Sequence, residues 1–218
     1  MSFASFLIEK FGEHNPKEID ELILDELIPD LGTLNEDQKK VLEQYSNLVR
    51  LSMSHLGIQS LKNFPSLPNL YVLEVNHNLL TGEDFNEIPK LYPNLHKLKV
   101  TGNKITSIDV FKTIEKSSIQ KIEVLDNPFM TGSKVEEELF DLLENVKIIN
   151  RHNRGGEEID TTDYEEEDEE EEDFEEDESL EDDDVNENGE EEFEAEEDEE
   201  DEDEEESESQ PNKKSKRH

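Results

Sequence analysis

Near its end the chain sets single aromatic rings among carboxylates: Tyr164 before Glu165 and Glu166, Phe174 between Asp173 and Glu175, Phe193 after Glu192. Such segments do no covalent chemistry. Their carboxylates match the Lys, Arg and helix N-termini of a strongly cationic protein. One ring seated in an apolar pocket then fixes the register that a sliding polyanion leaves open. A fully buried Phe is worth about 1.5–3 kcal/mol, enough to favour one register tenfold or more. Thr162, with Glu165 three residues on, and Ser179, with Asp182, fit an acid-directed kinase. Lys213, Lys214, Lys216 and Arg217 form a closing basic cluster of nuclear-import type.

The residue types that carry catalysis are present but not assembled. The 6 histidines are scattered, without a metal-ligand pairing such as H-E-x-x-H. There is no P-loop, nucleophile elbow or dinucleotide fingerprint. The chain has 0 cysteines, so it has no thiol nucleophile and no thiolate metal site. The acidic runs lack the fixed spacing and turn glycine of a calcium loop. The sequence therefore predicts neither an enzyme nor a cofactor or metal site. No apolar run is long enough to span a membrane, and Phe3 to Ile8 is too short and unflanked for a signal peptide. These features predict a soluble intracellular protein.

The element that must position any binding residue is a repeat. Leu95, Leu98, Val100, Asn103 and Ile105 read L-x-x-L-x-L-x-x-N-x-L, the strand and turn of a leucine-rich repeat. Leu98 and Val100 alternate with Lys97 and Lys99, so one strand face is dry and the other wet. Asn103 stands where the chain leaves the strand, and its amide can satisfy backbone groups buried by the turn. The template recurs at Leu70, Leu73, Val75, Asn78 and Leu80, and at Ile119, Ile122, Val124, Asn127 and Phe129. Leu48, Leu51, Met53 and Ile58 fit it with Leu56 in the amide place; Ile19, Leu22 and Leu24 fit with Leu27 there. Leu143, Val146 and Ile148 read as a closing half-repeat. Six strands are expected, none able to bury its apolar face alone.

Caps are expected at both ends. Phe3, Phe6, Leu7 and Phe11 fall at helical spacing after Ser2, predicting a capping helix over 3–13. A second helix is expected from about Asn35 to Tyr45. Apolar residues at every third position after each strand predict short turns on the convex side. Ser133-Lys-Val-Glu136 reads as a capping box opening a helix of the C-terminal cap.

Charge divides the chain. Of 62 acidic residues 38 fall in 157–218, with 4 of the 21 basic ones, a net of −34; residues 1–156 carry −7. The acidic part has too few apolar residues to offset its chain entropy. The expected organisation is a leucine-rich-repeat domain with caps over 1–154, a disordered acidic low-complexity region over 155–210 and a basic cluster over 211–218, with Gly155-Gly156 at the boundary. So negative a tail disfavours direct nucleic-acid binding. Outward strand positions predict a concave partner face of Arg50, Glu74, Lys97, Lys99, Lys121, Glu123 and Lys147, with Glu21 and Asp25 at its acidic start. Lys97, Lys99, Lys121 and Lys147 read as a basic patch open to the protein's own tail.

The order of a short repeat domain, an acidic tail and a terminal basic cluster resembles the acidic leucine-rich nuclear phosphoprotein 32 family. The likeness rests also on Ile19-Asp-Glu-Leu-Ile-Leu24, the twins Leu67-Pro-Asn-Leu70 and Tyr92-Pro-Asn-Leu95, Val75-Asn-His-Asn78 and Val100-Thr-Gly-Asn103. It implies an α/β fold: a right-handed leucine-rich-repeat solenoid with a helical N-cap and a C-terminal cap. It also implies a monomeric, non-enzymatic nuclear phosphoprotein, shuttling with the cytoplasm, that binds histones, acts as a histone chaperone and masks histones from acetylation. The alternative that it carries is inhibition of a serine/threonine protein phosphatase, or service as a nuclear export or transcription adaptor, through the repeat domain. Two places depart from the family pattern. Asn15-Pro16 replaces Thr-Pro, removing that phosphorylation site, and Ile149-Asn-Arg-His-Asn153 replaces the usual L-D-G-aromatic-D of the C-terminal cap.

Overall fold

The computed structural model describes residues 2–28 and 30–159. Thr162, Tyr164, Glu165, Glu166, Asp173, Phe174, Glu175, Ser179, Glu192, Phe193 and the basic cluster Lys213, Lys214, Lys216 and Arg217 lie outside the described residues.

The expected period-two alternation gives six short parallel strands: β1 (Glu21–Ile23), β2 (Arg50–Ser52), β3 (Val72–Glu74), β4 (Lys97–Lys99), β5 (Lys121–Glu123) and β6 (Ile148–Ile149). They lie side by side in chain order. The central residues Leu22, Leu51, Leu73, Leu98, Ile122 and Ile149 are mutual Cα partners and form one buried row. Leu24, Met53, Val75, Val100 and Val124 make a second row two residues on, also buried. Stacking makes each repeat the wall of the next, so the apolar face is continuous.

The asparagines do what their position requires. Asn103 Oδ1 accepts from the Leu80 amide at 3.1 Å, while its Nδ2 donates to the carbonyls of Val75 and Val100 at 3.0 and 2.9 Å. Asn78 serves Leu56, Ile58 and Met53 in the same way, and Asn127 serves Ile105, Val100 and Val124. Each amide ties its own repeat to the one before.

Helix α1 (Phe3–Phe11) starts at Ser2, whose hydroxyl accepts from the Ser5 amide, and stops at Gly12 with φ 77°. It buries Leu7 but leaves Phe11 on the surface at 44% exposure, so the cap uses less of its apolar face than the spacing suggests. Helix α2 (Glu36–Leu42) is opened by a capping box of Asn35 and Gln38. The convex side carries a 3₁₀ turn over Phe85–Glu87, helix α3 (Ile88–Leu91) and a 3₁₀ stretch over Ile108–Ile114.

Three expectations for the C-terminal cap are corrected. Helix α4 (Val135–Leu142) does form, but no side chain caps it, so Ser133-Lys-Val-Glu136 is not a capping box. The last strand is registered on Val146 and Ile149, not on Leu143, Val146 and Ile148: Lys121 pairs with Ile148 and Ile122 with Ile149. Leu143 instead occupies the place of Leu67 and Tyr92, since the Val146 amide donates to its carbonyl as Leu70 does to Leu67 and Leu95 to Tyr92. Finally, Gly155-Gly156 does not end the fold. Strand β7 (His152–Asn153) pairs antiparallel with β6, the chain turns, and Glu158 bridges back to His152. This hairpin covers an edge that β6 would otherwise leave open.

Candidate binding face

Two outward rows cross the sheet. The first runs Glu21, Arg50, Val72, Lys97, Lys121, Ile148; the second runs Ile23, Ser52, Glu74, Lys99, Glu123. Their charges interlock. Arg50 Nη1 lies 2.6 Å from Glu21 Oε1, and its Nη2 lies 2.6 Å from Glu74 Oε1. Lys99 Nζ sits between Glu74 Oε2 at 3.5 Å and Glu123 Oε1 at 3.6 Å. Burial alone pushes the Arg50 guanidinium pKa down, but the bonds and charges of Glu74 and Glu21 outweigh it and raise the pKa overall. Asp25 completes the acidic end: its carboxylate accepts from Ser52 Oγ at 2.7 Å and from the Ser54 amide at 2.6 Å.

Stacked rings border the rows on both sides. On the side where the strands begin, Tyr71 and His96 stack with centroids 4.3 Å apart. On the side where they end, His55 and His77 stack at 4.4 Å, and Glu26 Oε1 lies 3.9 Å from His55 Nδ1. Glu26, His55, His77, Gly102 and Asp126 hold the same place in successive repeats, and all have φ between 52° and 68°. Four non-glycine residues adopt this left-handed φ, so what demands glycine at 102 is space: a Cβ there would strike the His77 ring.

Of the predicted partner-binding residues, Arg50, Glu74, Lys97, Lys99, Lys121 and Glu123 all lie in these two rows. Lys147 does not. It is the residue before Ile148, so it holds the place of Gln120 beside the first row and is exposed. A register shift of three residues moves every side chain to the opposite face, because strands alternate with period two. The expected basic patch is therefore smaller: Lys147 stands outside it and Lys99 is bracketed by two carboxylates. Sequence reasoning passed over Val72, Ile148, Tyr71 and His96. Val72 was legible, being the strand residue before Leu73, and was missed because an apolar side chain is not expected to face out. Among the described residues no group of three or more His, Cys, Asp or Glu is placed to hold a metal ion. No described helix is long and apolar enough to cross a membrane.

Parallel strands one repeat apart, a convex side of short helical turns and an amide ladder define a leucine-rich-repeat protein. No family model matches the chain. A curated relative from Plasmodium falciparum, an acidic leucine-rich nuclear phosphoprotein 32-related protein, is 36% identical over 156 residues, 71% of this chain and 55% of that one. A Caenorhabditis elegans protein, acidic leucine-rich nuclear phosphoprotein 32-related protein 1, is 27% identical over 73% of this chain and 68% of that one. In fold the chain is similar to one in the crystal structure of the Drosophila melanogaster SNF/U2A′ complex, with TM-score 0.50 and 20% identity over 68% of this chain and 79% of that one. The chain is thus a leucine-rich-repeat relative of the acidic leucine-rich nuclear phosphoprotein 32 family, and it spans about half the length of the Plasmodium protein.

Proposed function

We propose that this protein is a non-enzymatic nuclear histone chaperone, in which the acidic tail lies on basic histone surfaces and the repeat domain is a folded partner-binding module. The observation that carries this reading is the density of carboxylates after residue 156, 38 in 62 residues, with single aromatic rings set among them. Such a polyanion competes with DNA for the same cationic surface, largely through charge and counterion release. The relatives support a nuclear setting by name, since those matched are called nuclear phosphoproteins.

The repeat domain offers a second surface, the face of Arg50, Glu74, Lys97, Lys99, Lys121 and Glu123. It favours the other reading, in which a protein phosphatase or a transport adaptor partner docks there. A DNA-displacement assay separates the two. Full-length protein added to histone–DNA complexes is expected to release DNA, and a chain ending at Ile159 is expected to release none. Equal release by both chains would overturn the tail-based reading.

A further inference from the structure

The sheet is closed at one end and open at the other. β7 and the bridge from Glu158 cover β6, whereas β1 is the terminal strand at the far end and pairs with β2 alone. Successive residues of a strand turn their N–H and C=O to opposite edges. Leu24 donates to the Ser52 carbonyl and Arg50 donates to that of Asp20, so Asp20, Leu22 and Leu24 turn theirs toward β2. Those of Glu21 and Ile23 therefore turn outward, and no described backbone group pairs with them. Such an edge is a template for another strand unless Pro, Lys or a bulge blunts it. Glu21-Leu-Ile-Leu24 has none of these, and Ile23 keeps 44% of its surface exposed.

Charge selects what can add there. Residues 1–49 hold 11 acidic and 4 basic side chains, which accounts for the whole −7 of residues 1–156. Glu21, Ile23 and Asp25 alternate along the concave side of β1, and the exposed Glu26 follows. Glu21 is shared with Arg50, whereas Asp25 accepts from Ser52 Oγ and the Ser54 amide and has no ion-pair partner among the described residues. A second copy fits badly. Antiparallel β1 strands centred on Ile23 would set Glu21 opposite Asp25 of the other copy at both ends, and like charges directly opposite destabilise a pair. The chain after residue 156, at −34, is repelled in the same way, and its closing basic cluster has no apolar residue to meet Ile23.

We propose that β1 receives an extended cationic segment of another protein as an added antiparallel strand, with an apolar side chain beside Ile23 and Lys or Arg beside Glu21 and Asp25. Main-chain hydrogen bonds to Glu21 and Ile23 supply affinity, and the flanking acids supply selectivity. This goes beyond the tail-based histone reading and does not depend on it.

The test uses the full-length chain and the peptide T-K-T-I-T-K-T, blocked at both ends, beside a copy N-methylated at its isoleucine. The two peptides carry the same charge, so the acidic tail takes them equally, and only the unmethylated one can complete the ladder at Ile23. Hydrogen exchange at the Glu21 and Ile23 amides is expected to slow tenfold or more with saturating unmethylated peptide in moderate salt, and to stay unchanged with the methylated copy. Ile23→Lys, which sets a cation on the edge, is expected to abolish the slowing at Glu21 while Leu73 and Leu98 stay protected. If that variant does not fold, the pair of peptides on the wild type still decides. Unchanged exchange with the unmethylated peptide, or equal slowing by both, overturns the proposal. Slowing that needs no peptide and grows with protein concentration also overturns it, assigning the edge to a second copy.

Discussion

Asn78, Asn103 and Asn127 each commit one amide to two consecutive repeats, which explains why an amide recurs where an apolar residue would also fit. At Asn103 the acceptor takes the Leu80 amide and the donor reaches Val75 and Val100, all buried. Asn103→Ala leaves the buried Leu80 N–H and the buried Val75 carbonyl short of partners, each costing about 1–3 kcal/mol if unpaired, while the Val100 carbonyl keeps the Asn127 amide. The variant is expected to lose roughly 3 kcal/mol in a urea unfolding curve. These amides were legible because their spacing from the strand is fixed. Tyr92 was legible only as an apolar ring. The structure buries its hydroxyl with no hydrogen-bond partner among the described residues, and burial pushes its pKa far above the ordinary tyrosine value. The folded state therefore holds this proton more tightly than the unfolded chain. Stability is full below about pH 10 and falls as pH rises beyond it. Tyr92→Phe is expected to stabilise the protein by about 1–3 kcal/mol near neutral pH. It should also shrink the alkaline fall, leaving the part due to Tyr45, whose phenol burial likewise raises. Urea unfolding at pH 7 and above pH 10 checks both expectations.

Strands β1 to β5 were legible because the apolar alternation and the turn residue point to one register. The last strand was not, because Val146-Lys-Ile-Ile149 offers apolar residues in both phases. A second amide ladder, just before the strands, resolves it. Asn47, Asn69, Asn94 and Asn145 each donate to a backbone carbonyl of the preceding repeat, at 2.8, 3.1, 3.1 and 3.3 Å, and Ser118 does so at 2.8 Å. Asn145 therefore marks Val146 as the first apolar position, as Asn69 marks Leu70 and Asn94 marks Leu95. Lys147 was misplaced because this ladder was read only in its Pro-Asn-Leu form. The cap is also fastened by a residue that sequence patterning did not single out. Arg154 donates to the carbonyls of Phe140, Leu143 and Glu144 at 2.8, 2.6 and 2.8 Å and lies over the Phe140 ring. A cation at the C-terminal end of α4 meets orphan carbonyls and the negative end of the helix dipole. Arg154→Ala is expected to cost about 1.5–3 kcal/mol. Amide hydrogen exchange should then quicken at Ile149 and Asn153 while Leu73 and Leu98 stay protected.

Over the whole molecule, charge is unequally shared: −7 on residues 1–156 against −34 on 157–218. On the concave face Glu21, Arg50, Glu74, Lys99 and Glu123 form one chain of ion pairs, whereas the tail's composition leaves its carboxylates in large excess. If rings as well as charge hold a histone, changing Tyr164, Phe174 and Phe193 together to Ala weakens binding by tenfold or more in moderate salt without altering net charge. Unchanged affinity in an equilibrium titration would leave only the polyanion. The more basic claim is that the tail carries histone binding. It is tested most directly by histone dissociation constants of the full chain and of a chain ending at Ile159, measured across a salt series. The cut spares the hairpin through Glu158 that closes the sheet. The account predicts affinity for the full chain that falls steeply as salt rises, and none measurable for the shortened chain with its fold intact. Equal affinity and equal salt dependence for the two chains would contradict it.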